Sequence, residues 1–181
     1  RTGVPVKWVA DRSESFLTDA HGRDHVTEVQ LAFDADNRMT ALKVETVANF
    51  GAYMSLFSSS VPTYLYATLL SGQYVIPAIH ANVKAVYTNT APVDAYRGAG
   101  RPEATYLLER TVETAARELG VAPAELRRKN FIRQFPYQTP VIMNYDAGDY
   151  ETSLNAAMQA ADYQDFEARR AEAKSRGKLR G

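Results

Sequence analysis

Residues His25 to Val47, HVTEVQLAFDADNRMTALKVETV, alternate between apolar and polar side chains on both sides of a polar centre. In the first arm Val29, Leu31 and Phe33 fall on one face, and polar residues fall on the other. Alternation with a period of two is typical of a half-buried strand. The centre, Asp34 to Arg38, has the Asp and Asn side chains that favour turns. We therefore predict a long antiparallel hairpin from His25 to Val47.

The segment that follows, Thr46 to Val83, contains no Asp, Glu, Lys or Arg. Its aromatic and aliphatic residues are interrupted by Ser58 to Ser60 and by Pro62, so it lacks the run of about 20 apolar residues that a membrane span needs. Exposed on a small protein, it would form an apolar patch that monomers usually avoid. We expect it to be either the core or a face covered by another part of a larger protein. It contains a predicted short helix, Val61 to Leu70, and a predicted strand, Ile79 to Tyr87.

The carboxyl-terminal half has the pattern of helices. Pro102 suits a first helical position, Gly120 suits the residue just past the end, and apolar residues recur between them at spacings of three and four. Three further helices are predicted: Pro123 to Lys129, a helix capped by Asp149, and Asp162 to Lys174. Strands followed by helices predict an α+β (mixed α/β) fold rather than a doubly wound sheet. We expect one domain-sized unit over residues 1–181, mainly β over 1–90 and mainly α over 102–175.

The amino-terminal residues give two further predictions. Val4 to Val9 has the composition of a short strand, and Asp11 to Ser15 has that of a polar turn. Arg1 to Trp8 contains no Met and enters the strand-like stretch almost at once, so we interpret it as a cut end.

Charge and cysteine content exclude several classes of function. The 181 residues include 21 basic and 21 acidic side chains, and a net charge of zero argues against a protein that finds nucleic acid through its overall field. The absence of cysteine excludes a disulfide framework, zinc–thiolate sites, iron–sulfur ligation by this chain and a cysteine nucleophile. With no visible secretory signal, these features predict a cytoplasmic protein.

The candidate site is the loop Asp94 to Glu103, DAYRGAGRPE. Gly98 and Gly100 allow the backbone to approach a ligand closely. The helix that follows directs its unpaired N–H groups and its positive dipole end at this loop. Because Arg97 and Arg101 add two permanent cations, the loop favours an anion, or an atom that becomes negative during a reaction.

A purely structural explanation of this loop stays open. On spacing alone, the loop is more typical of a tight strand-to-helix turn whose arginines pair with Asp94, Glu103 or Glu109. Two common phosphate motifs are excluded, since Glu103 stands where G-x-G-x-x-G has its third glycine and no Lys-Ser or Lys-Thr follows the glycines.

Other polar residues are predicted to have structural roles. His21 and His25 have no third ligand near them in the sequence, so we expect two surface histidines at a strand entrance rather than a metal site. We expect His80 to be a packing residue on its strand, and Arg127 to Lys129 to be solvated.

The residues Tyr87 to Glu103, YTNTAPVDAYRGAGRPE, resemble the molybdenum-site loop of the xanthine dehydrogenase and aldehyde oxidase family, the molybdenum hydroxylases. The chain is most similar to the large subunits of the carbon monoxide dehydrogenase-like kind. The resemblance extends over nearly the whole chain through further motifs in the same order: PVKW at 5–8, DR at 11–12, NFGAY at 49–53, YVIPAI at 74–79, ELG at 118–120 and LRRKNF at 126–131.

The resemblance implies part of a molybdopterin-binding domain in an oxidoreductase that hydroxylates a small molecule oxidatively. It implies a molybdopterin cofactor, usually the cytosine dinucleotide form in bacterial members, with FAD and iron–sulfur clusters on partner subunits. By this likeness Arg97 is the catalytic residue, which orients substrate or offsets charge developing at the metal. The implied cofactor-binding residues are Tyr96, Gly98, Ala99, Gly100 and Arg101. No residue of this chain is implied as a metal ligand.

Departures from the family pattern narrow the function. Carbon monoxide oxidisers carry a copper-binding cysteine at the position of Gly98, and xanthine-oxidising members carry an aromatic at that of Ala99. We therefore expect a small aldehyde or a heterocycle as substrate, and not carbon monoxide. The family's upstream glycine- and glutamine-bearing segments and its downstream catalytic glutamate have no match, so we expect an internal fragment that is inactive alone. Its expected partners are the rest of its own large subunit and the iron–sulfur and flavin subunits. The alternative is a non-catalytic anion-binding or subunit-assembly module.

Overall fold

The computed structural model describes residues 2–181 and is organised around a three-stranded sheet. The stretch interpreted as a cut end begins with Arg1, and Arg1 lies outside the described residues. The sheet has the order β1 (His25–Phe33), β2 (Met39–Asn49) and β3 (Ala78–Val86). β1 and β2 form the predicted antiparallel hairpin, in which His25 lies opposite Ala48. The period-two alternation is therefore confirmed.

β3 runs parallel to β2, a direction that the sequence pattern had not indicated. Parallel neighbours require a long crossover, and the charge-free segment provides it. This segment leaves the end of β2, passes through the single helical turn α2 (Tyr64–Ala67) and enters β3 at Ala78. The predicted helix from Val61 to Leu70 is thus shortened to one regular turn flanked by irregular turns.

Helices follow the sheet in the chain, as the α+β class predicts. The long helix α3 (Arg101–Leu119) is followed by α4 (Pro123–Asn130), a two-stranded ribbon, α5 (Tyr150–Ala160) and α6 (Phe166–Ser175). The ribbon pairs β4 (Tyr137–Gln138) with β5 (Asn144–Tyr145). The last predicted helix is interrupted at its start, because Asp162 has a positive φ of 48° and a 3-10 turn, Tyr163–Asp165, precedes α6. None of the helices in this part of the chain combines the length and apolar character that crossing a bilayer requires.

The core lies between the sheet and α3. Leu42 and Val44 of β2 are 2% and 0% exposed, and they belong to the same buried cluster as Leu108 and Val112 of α3. Full burial of such a side chain stabilises the fold by about 1.5–3 kcal/mol. The position of α3, and of the loop that precedes it, therefore depends on this contact.

The charge-free segment is divided between the core and the surface. Its residues Tyr66, Leu70 and Tyr74 are buried, and so are Val61 and Ile76. Large apolar side chains between residues 53 and 64 are exposed instead: Tyr53, Met54, Leu56, Phe57 and Tyr64. The expectation of a core is therefore confirmed for one part of the segment, and the cover expected for the exposed part stays a prediction.

Two amino-terminal predictions are wrong. Val4 to Val9 is not a strand: it begins with a bend and has no regular structure, and no strand within residues 2–181 pairs with it. Asp11 to Ser15 is not a turn but the start of α1 (Arg12–Thr18). The Asp11 carboxylate accepts the Glu14 N–H and the Glu14 carboxylate accepts the Asp11 N–H, a capping box that satisfies two unpaired donors at a helix start.

The prediction that Arg127 is solvated is also wrong, because its side chain is partly buried. Its Nε lies 2.8 Å from the Glu109 carboxylate and its Nη1 lies 3.1 Å from the Glu113 carboxylate, so it joins α4 to α3. The Tyr74 hydroxyl donates to the other oxygen of Glu109 at 2.7 Å. This network connects the charge-free segment to both helices.

The two glycines that flank α3 provide a matched test of close packing. Gly100 and Gly120 both have positive φ, 89° and 67°, but a Cβ at Gly100 would lie 2.5 Å from the Leu65 carbonyl, whereas a Cβ at Gly120 would meet nothing within 4 Å. We expect Gly120→Ala to lower the free energy of unfolding by about 1–2 kcal/mol through backbone strain alone. Gly100→Ala should lower it by about 1–3 kcal/mol more, because the side chain must also displace backbone. Chemical denaturation of both variants measures the difference, and equal losses would contradict the close approach.

Candidate functional site

The loop before α3 has three consecutive residues with positive φ: Gly98 at 96°, Ala99 at 38° and Gly100 at 89°. Residues other than glycine rarely adopt this region, so Ala99 is held there by its surroundings. The Ala99 N–H donates to the Tyr96 carbonyl at 2.8 Å, and the Arg101 N–H donates to the Gly98 carbonyl at 3.1 Å. The loop is therefore a tight double turn that leads directly into the helix.

The two glycines of this turn lack room for a side chain. A Cβ at Gly98 would lie 2.6 Å from Cγ of Pro102, and one at Gly100 would lie 2.5 Å from the Leu65 carbonyl. A cysteine at position 98 would consequently require the loop or the proline ring to move. This geometry agrees with the sequence, in which the cysteine of copper-dependent carbon monoxide oxidisers is missing.

Arg97 and Arg101 are exposed, and within residues 2–181 neither lies within 4.0 Å of a carboxylate. The explanation of the loop by ordinary ion pairs is therefore wrong. The three carboxylates expected to pair with these arginines have other partners. Asp94 accepts hydrogen bonds from backbone N–H groups, Glu103 pairs with Arg23, and Glu109 pairs with Arg127.

Backbone donors accompany the two cations. The N–H groups of Gly98, Gly100 and Glu103 have no acceptor among the described residues. Unpaired donors at a helix start bind anions and oxygen-rich groups. Over the seven residues from Arg97 to Glu103, the loop thus combines three backbone N–H donors with two guanidinium groups, all without a partner within residues 2–181.

Asp94 anchors the start of the loop. Its buried carboxylate accepts the N–H of Phe57 at 3.1 Å and the N–H of Ala95 at 2.6 Å. Burial by itself raises the pKa of Asp94, but hydrogen bonds from Ser55 and from these backbone groups outweigh burial and leave the pKa below that of an ordinary aspartate. The carboxylate is therefore ionised and ties the charge-free segment to the site.

A cavity of about 550 Å³ lies beside the start of α3, where Pro102 and Glu103 of the loop line it together with residues that sequence analysis did not assign to a site, among them Arg23, His25 and Tyr66. Arg23 and Glu103 meet at its edge, with Nε and Oε1 3.8 Å apart. His25 contacts the buried Tyr66 ring edge-on, with ring centroids 5.1 Å apart. Burial lowers the pKa of His25 although Glu103 and Asp24 oppose this, so its imidazole is neutral near pH 7. No local pattern indicated Arg23, because its contact with Arg97 joins residues 74 positions apart.

The three histidines do not form a metal site. His21 is exposed as expected, and its backbone pairs with the strand-like residues before the loop. His25 is half-buried, which corrects the prediction of a surface residue. The prediction that His80 is a packing residue is wrong, because its side chain is 65% exposed and lies beside Glu45. Within residues 2–181, no three His, Cys, Asp or Glu side chains are grouped so as to hold a metal ion.

Residues 1–131 match the family described as the molybdopterin cofactor-binding domain, and the chain belongs to this family. The predicted resemblance to molybdenum hydroxylase large subunits is confirmed, and so is the α+β fold class.

Individual relatives make the relationship more specific. The chain is similar to the carbon monoxide dehydrogenase large chain of Hydrogenophaga pseudoflava, with 44% identity over 93% of this chain and 22% of that protein. It is 36% identical to the 6-hydroxypseudooxynicotine dehydrogenase complex subunit gamma of Paenarthrobacter nicotinovorans, over 91% of this chain and 21% of that protein. Among solved structures it resembles quinoline 2-oxidoreductase from Pseudomonas putida 86, with a TM-score of 0.87 and 34% identity over 94% of this chain and 22% of that one. The chain therefore spans about a fifth of the length of these relatives.

Asp94→Asn tests the anchor of the loop. A depressed pKa means that the ionised carboxylate stabilises the fold above the ordinary aspartate pKa of about 3.9, and that this stabilisation is lost as the pH falls through the lower pKa of the folded state. We expect Asp94→Asn to lower the free energy of unfolding at pH 7 by about 1–3 kcal/mol and to weaken the decline of that free energy below about pH 5. Denaturation at several pH values measures both. The control is Asp146→Asn, an exposed carboxylate with one local hydrogen bond, and an identical pH response of the two variants would contradict the anchor.

Proposed function

We propose that the loop Tyr96 to Arg101 forms one wall of the molybdenum cofactor site in an oxidoreductase that catalyses oxidative hydroxylation. The observation that carries this proposal is that, among the described residues, Arg97 and Arg101 have no carboxylate partner and backbone N–H groups of the same glycine turn have no acceptor. A molybdopterin carries a phosphate and an oxygen-rich metal centre, and donors and cations of this kind suit both. The family relationship supports the same assignment.

The residues of the loop have separate proposed roles. When bound, the cofactor supplies the oxygen transfer and the two-electron redox chemistry. Arg97 orients the substrate and offsets negative charge that develops during the reaction. Gly98 and Ala99 would line the floor of the cofactor site, where small residues allow close approach of the backbone. Tyr96, 60% exposed, shapes the pocket wall. The remaining cofactor-binding residues are Gly100 and Arg101.

For the substrate we propose a small aldehyde or a heterocycle rather than carbon monoxide. The chain has no cysteine to hold copper, and the packing at Gly98 leaves no space for one. Ala99 is too small to stack on a purine. A heterocycle is supported by the names of two relatives, one of which acts on quinoline and the other on 6-hydroxypseudooxynicotine.

The finer features of the enzyme are also proposals. We infer a molybdopterin cytosine dinucleotide, with FAD and iron–sulfur clusters on partner subunits in the cytoplasm. Because this chain has no cysteine, it cannot supply thiolate ligands to a cluster itself. The names of relatives as a large chain and as a complex subunit support a multi-subunit arrangement.

We further propose that the chain is catalytically incomplete and belongs to a longer large subunit. The exposed apolar side chains between Tyr53 and Tyr64 belong to the segment that contacts the loop through Phe57 and Leu65, and they support a covering segment from that subunit. The alternative, a non-catalytic anion-binding or subunit-assembly module, would use the same loop or the same apolar surface without redox chemistry.

Replacement of Arg97 tests the catalytic role. In the full-length large subunit we expect Arg97→Ala to lower kcat by about 100-fold, the size of effect typical for loss of a group that stabilises developing charge. Arg110→Ala is the matched control, since Arg110 is an exposed arginine on α3 outside the loop. Steady-state oxidation of an aldehyde and of a quinoline-type heterocycle gives the measurement. Unchanged turnover in Arg97→Ala would remove Arg97 from the reaction.

The 181-residue chain by itself tests the claim of incompleteness. We expect no stoichiometric molybdenum by elemental analysis and no oxidation of aldehyde or heterocycle, because most of the cofactor site is proposed to come from other segments. Phosphate titration followed by NMR separates the alternative. Saturable shifts centred on Gly98 to Glu103 in a stable monomer, with no redox activity in the longer subunit, would favour an anion-binding module.

A further inference from the structure

We propose that Arg23 is a positioning residue for the loop, and that it holds Arg97 in its working orientation. The inference rests on the role proposed for Arg97. Arg23 lies outside the loop and precedes β1, yet its guanidinium group contacts Tyr96, Arg97 and Glu103. These three residues lie at the pocket wall, the proposed catalytic position and the first turn of α3.

The segment that carries Arg23 is fastened to the chain just before the loop. The His21 N–H donates to the Pro92 carbonyl at 2.8 Å, and the His21 carbonyl accepts the Asp94 N–H at 2.8 Å. Gly22 then passes so close to Tyr96 that a Cβ would lie 2.4 Å from the tyrosine Cβ. The backbone of Arg23 is thereby delivered to the loop at a defined place.

Arg23 itself adopts a positive φ of 63°. This conformation is unfavourable for a residue other than glycine, so the contacts of Arg23 hold it in place. From this backbone conformation the side chain, which is 33% exposed, reaches the loop.

The guanidinium group makes three different kinds of contact. Its Nη2 donates to the carbonyl of Arg97, its Cζ lies 4.9 Å from the centroid of the Tyr96 ring, and its Nε lies 3.8 Å from Glu103 Oε1. The planar arginine fork suits such simultaneous contacts, whereas a lysine offers one point charge. The loop is thus held by its backbone, by an aromatic face and through the helix that follows it.

Glu103 makes the contact specific for a cation. Its side chain is 8% exposed, and its Oε2 is buried with no partner in the part of the chain that the structure describes. A carboxylate buried in this way needs a nearby positive charge. Arg23 supplies that charge at the edge of the cavity, which explains why the tether is an arginine rather than a neutral donor.

Hydrogen exchange in the full-length large subunit tests the tether directly. In Arg23→Ala we expect the N–H groups of Ala99 and Arg101 to exchange at least about tenfold faster than in the wild type, because the double turn opens without its anchor. The β1 amides should keep their wild-type rates. Arg110→Ala should leave both regions unchanged. Wild-type exchange at Ala99 and Arg101 in a folded Arg23→Ala variant would overturn the proposal.

Arg23→Lys keeps the test decisive if Arg23→Ala does not fold. A lysine retains the charge opposite Glu103 but not the fork, so we expect exchange at Ala99 and Arg101 between that of the wild type and that of an untethered loop. If this variant matches the wild type, charge alone suffices and the proposed tether is wrong.

A double-mutant cycle separates positioning from general stability. We expect Arg23→Ala to lower kcat at least about tenfold in the wild-type background, but less than about twofold when Arg97→Ala is already present, since the two effects share one path. An equal fall in both backgrounds would overturn a role through Arg97. If Arg97→Ala has no effect on turnover, the proposed function fails, and the exchange rates alone decide whether Arg23 holds the loop.

Discussion

The approach of Gly100 to the Leu65 carbonyl places two backbones in direct contact at the point where α3 begins. No side chain fits between them, so the start of the helix and the crossover segment occupy fixed positions relative to each other. The same crossover segment delivers Tyr66 to the sheet, where its hydroxyl lies 3.2 Å from that of Thr46. Through this contact, the sheet, the crossover and the loop are parts of one rigid arrangement, and the donors at the helix start are directed by it.

The electrostatics of the loop follow from how its neighbours are satisfied. Asp94 and Glu109 would neutralise the loop arginines if they were free, but backbone N–H groups and Arg127 already occupy them. The two cations of the loop are consequently left without carboxylate partners in the described chain, at a helix end that is itself positive. An arrangement of this kind repels a cation and attracts a group rich in oxygen, which agrees with the molybdopterin-binding family to which the chain belongs.

Features set by neighbours in the sequence were the ones that could be predicted. The β1–β2 hairpin, both ends of α3 and the cap at Asp149 depend on local alternation, glycine and proline positions and capping chemistry. The direction of β3 could not be predicted, because it depends on how a long irregular crossover folds. Val4 to Val9 failed as a strand since strand propensity alone supplies no partner. The loop was found through its glycines and arginines, but Arg23 and His25 were missed, because their contacts join distant parts of the chain.

The hydrogen bond from Arg23 to position 97 is accepted by a backbone carbonyl oxygen, a group that every amino acid possesses. This hydrogen bond therefore does not depend on which side chain is present at position 97. Natural variation or laboratory evolution could replace that side chain while the backbone of the loop stays in place. The replacement would change the chemical group presented to a substrate. A change of side chain at position 97 thus leaves this hydrogen bond in place.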